Sequence, residues 1–193
     1  KYNYFPFYYM DYLKGECYLR RLDLSNSEQS LEIFRNNFSG VNYMKDAQLK
    51  IAWCSLLNGD TAKYLSKIAA IRNIGTMDLD ADKRAQEISF DKSIPNINLL
   101  KARLLFDGGY YYRADSIINL ISIKDLNTLD ITEFHYRSAR ISHALNNNEK
   151  AKLKYIQTIY LGNGLPNYYA GNSALKLGNI YEIEGDTINA LTY

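Results

Sequence analysis

The sequence predicts an all-α array of about five antiparallel helix pairs, with one extra helix between the second and third pairs. Small residues recur at Gly15, Ala52, Ala102, Ala139 and Gly178, separated by 37, 50, 37 and 39 residues. A period in the thirties sustained along a chain marks stacked helical hairpins. A turn residue and a second small residue follow most of these: Gly109 and Ala114, Asn146 and Ala151, Gly185 and Ala190, with Gly59 in the second unit and Ser30 after a longer turn in the first. Only 3 prolines in 193 residues, with 47% hydrophobic and 23% charged residues, complete the picture of an ordinary helix-rich chain.

Each element has a local reason. Pro6 suits a first helical position and opens a helix to about 22. Ser25 with Glu28 reads as a capping box for a second helix to about 38. Helices at about 42–58 and 60–72 form the second pair. The 50-residue interval leaves room for an insert at about 74–94, where "DLDADKRAQEIS" runs from acidic to basic as a helix dipole prefers. Pro95 opens a helix to about 107, with a partner at 110–121. Asp130 and Glu133 cap one to about 146, with a partner at 148–161. Pro166 opens the last long helix to 184, and its partner from Asp186 is cut after about two turns at Tyr193. The repeats thus run about 6–38, 42–72, 95–121, 130–161 and 166–193, in a single domain.

The spacing has a physical basis. Each small residue lets two antiparallel helices approach closely, and the second small residue does the same from the partner helix. The Gly or Asn between them accepts a left-handed conformation and ends the first helix. Large residues such as Leu105 and Tyr181 fill the seam.

The stretch "LGNIYEIEGDTINALTY", with Leu177, Gly178, Tyr181, Gly185 and Ala190, resembles the tetratricopeptide repeat. The other four units carry the pattern in degenerate form, and none has the tryptophan that often opens the family motif or the proline that closes it. "KDAQLKIAWCSLLNGD" and "LLKARLLFDGGYY" are similar to tetratricopeptide proteins of AT-rich bacteria, many of them exported. The resemblance implies a right-handed superhelical solenoid that holds a protein or peptide partner on its concave face, in a bacterial periplasm, envelope or cytoplasm. Because a repeat cannot bury its face alone, further chain or a cap is expected beyond Tyr193. The start at Lys1 fits a processed piece.

A net charge of +2 argues against a nucleic-acid footprint, and no apolar run approaches the roughly 18 residues of a membrane span. There is no phosphate-loop, zinc-protease or serine-hydrolase motif. His135 and His143 are two turns apart on one helix, about 12 Å, too far to share a metal, and read as surface or groove residues. Pairs such as Asp80 with Asp82 and Glu182 with Glu184 read as solvated faces. Cys17 and Cys54, equivalent in adjacent repeats, read as buried free thiols. The expectation is a non-enzymatic module without cofactor or metal.

Residues next to each small residue, and one turn before and after it, are expected to face the groove. They include Trp53, Arg103, Phe106, Tyr136, Arg140, His143 and Asn179. Arg103 and Arg140 occupy equivalent places in adjacent repeats. A basic pair beside aromatics suits an extended peptide bearing carboxylates, because the guanidinium binds carboxylates as a fork. The bland alternative pairs these arginines with Asp107 or Glu133 and puts Trp53 in the core. A second functional reading is a structural, oligomerising part of an envelope assembly, associating through the aromatic stretch "KYNYFPFYYMDY".

Overall fold

A computed structural model describes residues 7–91 and 93–193. The chain is all-α: eleven α-helices and two short 3-10 turns, with no strand among the described residues. The helices are α1 (Tyr9–Arg20), α2 (Leu24–Asn37), α3 (Met44–Leu57), α4 (Thr61–Ala70), α5 (Asp80–Phe90), α6 (Ile97–Asp107), α7 (Tyr111–Ile118), α8 (Thr128–Ala144), α9 (Asn148–Gly162), α10 (Tyr169–Ile183) and α11 (Thr187–Thr192). The expected first helical residue, Pro6, lies outside the described residues. Two compact units divide the chain, one to Ile97 and one from Asn98.

Five hairpins share one turn. Seven residues after each small residue the backbone is left-handed: Leu22 (φ 65°), Gly59 (86°), Gly109 (81°), Asn146 (59°) and Gly185 (78°). The next residue donates its backbone N–H to the carbonyl five positions back, as Asp23 to Tyr18, Asp60 to Ser55, Tyr110 to Leu105, Asn147 to Ser142 and Asp186 to Tyr181, all at 2.9–3.0 Å. This six-to-one bond closes the first helix. The same residue starts the second helix. The side chains of Asp60, Asn147 and Asp186 accept from the backbone N–H of Lys63, Lys150 and Asn189 at 2.8, 3.3 and 3.1 Å, which satisfies donors that a helix start leaves open.

Twelve residues after each small residue the second helix presents Ser27, Tyr64, Ala114, Ala151 or Ala190, the first four buried. The first hairpin therefore uses Ser27, not Ser30. Ser27 Oγ donates to the Gly15 carbonyl at 2.9 Å, a contact that only a small residue at position 15 permits: a Cβ there would lie 2.5 Å from Leu31 Cγ.

In the first unit every residue of α3 from Lys45 to Leu57 is buried, because α1, α2, α4 and α5 all pack against it. Most of its polar side chains are matched internally, as burial favours, although Gln48 Oε1 has no hydrogen-bond partner. Lys45 Nζ donates to the Ile71 carbonyl at 2.9 Å and Gln48 Nε2 to the Lys67 carbonyl at 3.0 Å. Lys50 Nζ meets Tyr12 Oη at 2.6 Å, Glu16 Oε1 at 2.7 Å and the Asp46 carboxylate. The insert helix α5 supplies a cap: Asp82, fully buried, accepts from the backbone N–H groups of Tyr43 (2.7 Å) and Asp46 (3.0 Å).

Several expectations are corrected. Asp82 is a buried cap, not part of a solvated face. Ser25 makes no capping box: α2 starts after Asp23, and Glu28 instead meets Lys63 Nζ at 3.2 Å and the Lys67 ammonium. Asn127, rather than Asp130, caps α8, accepting from the Asp130 N–H at 2.9 Å. Pro95 and Pro166 stand two and three residues before α6 and α10 rather than at their first position, as suits a residue that pushes its predecessor out of helical conformation. Cys17 is exposed, while Cys54 is buried with its thiol pushed up to about 11 by burial.

In the second unit α8 and α9 pair along their length, α10 packs on α9 and α8, and α11 packs on α10. Tyr136, Ala139, Ala151, Tyr155, Leu177 and Ile180 form its core.

Candidate functional site

The second unit carries an open cleft of about 340 Å³ where α6, α8, α9 and α10 meet. Phe106, Arg140, His143, Ala144, Asn146, Tyr155 and Lys176 line it. Arg140, half-buried on α8, lies with its guanidinium 4.2 Å from the Phe106 ring centroid and 5.6 Å from that of Tyr136. Stacking on an aromatic face fixes the plane of a guanidinium and leaves its edge for an anion.

The anions already nearby do not saturate this edge. Asp107 lies 3.9 Å from Arg140 Nη1 and 3.8 Å from Arg103 Nε, distances that give charge attraction without a hydrogen bond. Glu133 is engaged elsewhere, by Arg137 Nε and Nη2 at 3.0 and 2.8 Å. The bland pairing is therefore half present, through Asp107 alone.

His143 packs edge-on to Tyr155, with Nδ1 3.5 Å from the phenol oxygen. Burial, and then Lys176, push its pKa below the usual histidine value, so at neutral pH the ring is an uncharged donor and acceptor. Burial raises the Tyr155 phenol well above its ordinary range, and that group stays protonated.

The cleft gathers Phe106, Arg140 and His143 from the expected groove set, with Arg103 joined through Asp107. Tyr136 is buried beneath, stacked on Tyr169 with centroids 4.9 Å apart. Asn179, on α10, lines a different cleft with Leu175, Glu182 and Leu191. Trp53 is corrected to a core residue of the first unit, 6% exposed, since α3 is enclosed on all sides. His135 is likewise buried rather than surface-exposed. Tyr155, Asn146 and Lys176 were not among the expected groove residues. Asn146 serves the turn as well, and Tyr155 comes from the second helix, four residues beyond Ala151, whereas the sequence pattern drew only on first helices.

Among the described residues no group of three or more His, Cys, Asp or Glu could hold a metal, and no helix is long and apolar enough to cross a membrane. No family model, curated protein or solved structure gave a match to this chain.

Proposed function

We propose that the chain is a tetratricopeptide-like helical-repeat module, a right-handed solenoid that binds an extended, carboxylate-bearing segment of a partner protein. Support for the repeat comes from the single turn register shared by five hairpins. The observation that carries the binding reading is Arg140: its guanidinium lies over the Phe106 ring, it makes no side-chain hydrogen bond to any described residue, and Lys176 adds a second cation to the same open cleft. A carboxylate placed there would exchange a 3.9 Å attraction to Asp107 for short charge-assisted bonds. The test is fluorescence anisotropy with a labelled peptide of alternating glutamate and glycine. The double change Arg103→Ala and Arg140→Ala should abolish micromolar binding while helical circular dichroism is kept. Equal binding by the variant would refute the reading.

A second reading is supported by exposed apolar side chains. Ile183, Ile188 and Leu191 on the last hairpin are more than four-fifths exposed, and Phe7, within the N-terminal aromatic stretch, is 68% exposed. Under this reading the module is a structural, oligomerising part of a larger bacterial envelope assembly. Monomer mass in light scattering at high concentration would exclude self-association.

A further inference from the structure

Between α8 and α9 lies a second open cleft of about 390 Å³, lined by His135, Ile156, Gln157, Tyr160 and Leu161. It shares no residue with the Arg140 cleft. Its walls are mainly carbon, from Ile156, Leu161 and the ring of Tyr160. Tyr160 is 83% exposed, so one face of that ring is open for stacking. Leu153 and Ile156, also exposed, continue the apolar stripe along α9.

Two polar atoms of this wall are unusual. His135 Nδ1 and Gln157 Oε1 are both shielded from solvent, and neither has a hydrogen-bond partner. His135 is itself 6% exposed. Buried polar groups normally have partners, and leaving one unmade is costly. The Gln157 oxygen can only accept, and a neutral imidazole presents one accepting nitrogen. Lys154, in electrostatic contact with His135, disfavours a cationic visitor, and the accepting atoms disfavour an anionic one. A neutral donor on an apolar body remains.

We propose that this cleft is a second binding site, which takes an aromatic side chain carrying a hydrogen-bond donor, a tyrosine or tryptophan of a partner protein. The ring lies between Ile156 and Tyr160, and its O–H or N–H donates to Gln157 Oε1 after a small side-chain rotation, with His135 in the same wall. Burial, and then Lys154, hold His135 down to about 4, so the imidazole stays neutral near pH 7.

The experiment is a nuclear magnetic resonance titration of the labelled chain with 4-methylphenol, and with toluene as the ring without a donor. 4-Methylphenol should shift the Gln157 side-chain amide and Ile156 methyl signals saturably, in the millimolar range typical of so small a ligand. Toluene should bind about fivefold more weakly, the equivalent of one lost hydrogen bond. Gln157→Leu should bring both ligands to the same affinity. Ile156→Arg, a change at an exposed position, should abolish binding of both without loss of helical signal. Absence of saturable shifts at these residues, equal affinity of the two ligands for the unaltered chain, or a donor preference that persists in Gln157→Leu would each overturn the proposal.

Discussion

The carboxylate of Asp82 accepts the backbone N–H of Tyr43 at 2.7 Å and so closes the start of a helix that belongs to another part of the sequence. Tyr43 is left-handed (φ 63°) and its own side chain caps nothing. The insert helix α5 thus supplies what the α3 start lacks. Asp82→Ala removes the acceptor of one buried and one partly buried backbone donor and should lower stability by about 2–4 kcal/mol. Urea unfolding followed by circular dichroism measures it, and Asp80→Ala, on the exposed side of the same helix, is the control expected within about 0.5 kcal/mol.

The five turns need a left-handed residue at one position, and Leu22 is the poorest choice for it. Leu22→Gly should raise stability by about 0.5–1 kcal/mol, the gain in backbone energy being partly offset by lost side-chain contact. At Gly109 a Cβ would meet nothing within 4 Å, so Gly109→Ala isolates the backbone effect. It should cost about 1 kcal/mol. Paired thermal melts of the two variants should move in opposite directions.

Close approach is tested at Gly15 and Gly178. A methyl at position 15 would collide with Leu31, 2.5 Å away, whereas at position 178 the nearest atom is the Ala190 carbonyl oxygen at 3.3 Å. Gly15→Ala should therefore cost about 1–3 kcal/mol, as overpacking does, and Gly178→Ala distinctly less. Chemical denaturation of both variants would show a reversed order if the seam around Leu31 relaxes freely.

His135 makes stability pH-dependent. Its folded pKa, about 4, lies below the ordinary 6.5 because burial, and then Lys154, oppose the charged form. The unfolded chain binds the proton first, so stability is full above about pH 6.5 and falls as pH drops toward 4, by on the order of 1–3 kcal/mol. His135→Phe should flatten that part of the curve. Melting temperatures at pH 7.5 and 4.5, compared between the two proteins, check it.

Much of this architecture is legible in the residues themselves. Gly59, Gly109, Asn146 and Gly185 announce their turns because few residues tolerate a left-handed backbone, and Ala102 or Ala139 announce the seams because nothing larger fits. Leu22 hides the first turn, since a leucine carries no such signal, and that concealment misplaced the facing residue at Ser30 instead of Ser27. The role of Asp82 depends on a contact 39 residues away in sequence. Trp53 shares the register of Arg103 and Arg140, yet α5 and the neighbouring helices enclose α3, and enclosure is a tertiary fact that a repeat pattern does not encode. The Arg140 cleft was half visible: its first-helix members follow from the register, while Tyr155 and Lys176 depend on how α9 and α10 meet α8.

The most direct test of the central claim is a residue-by-residue nuclear magnetic resonance map of the chain titrated with the glutamate–glycine peptide. The binding account predicts saturable shifts concentrated at Arg140, His143, Asn146 and Tyr155, and their loss in Arg140→Ala. Saturable shifts confined to other residues, or none at all, would contradict it.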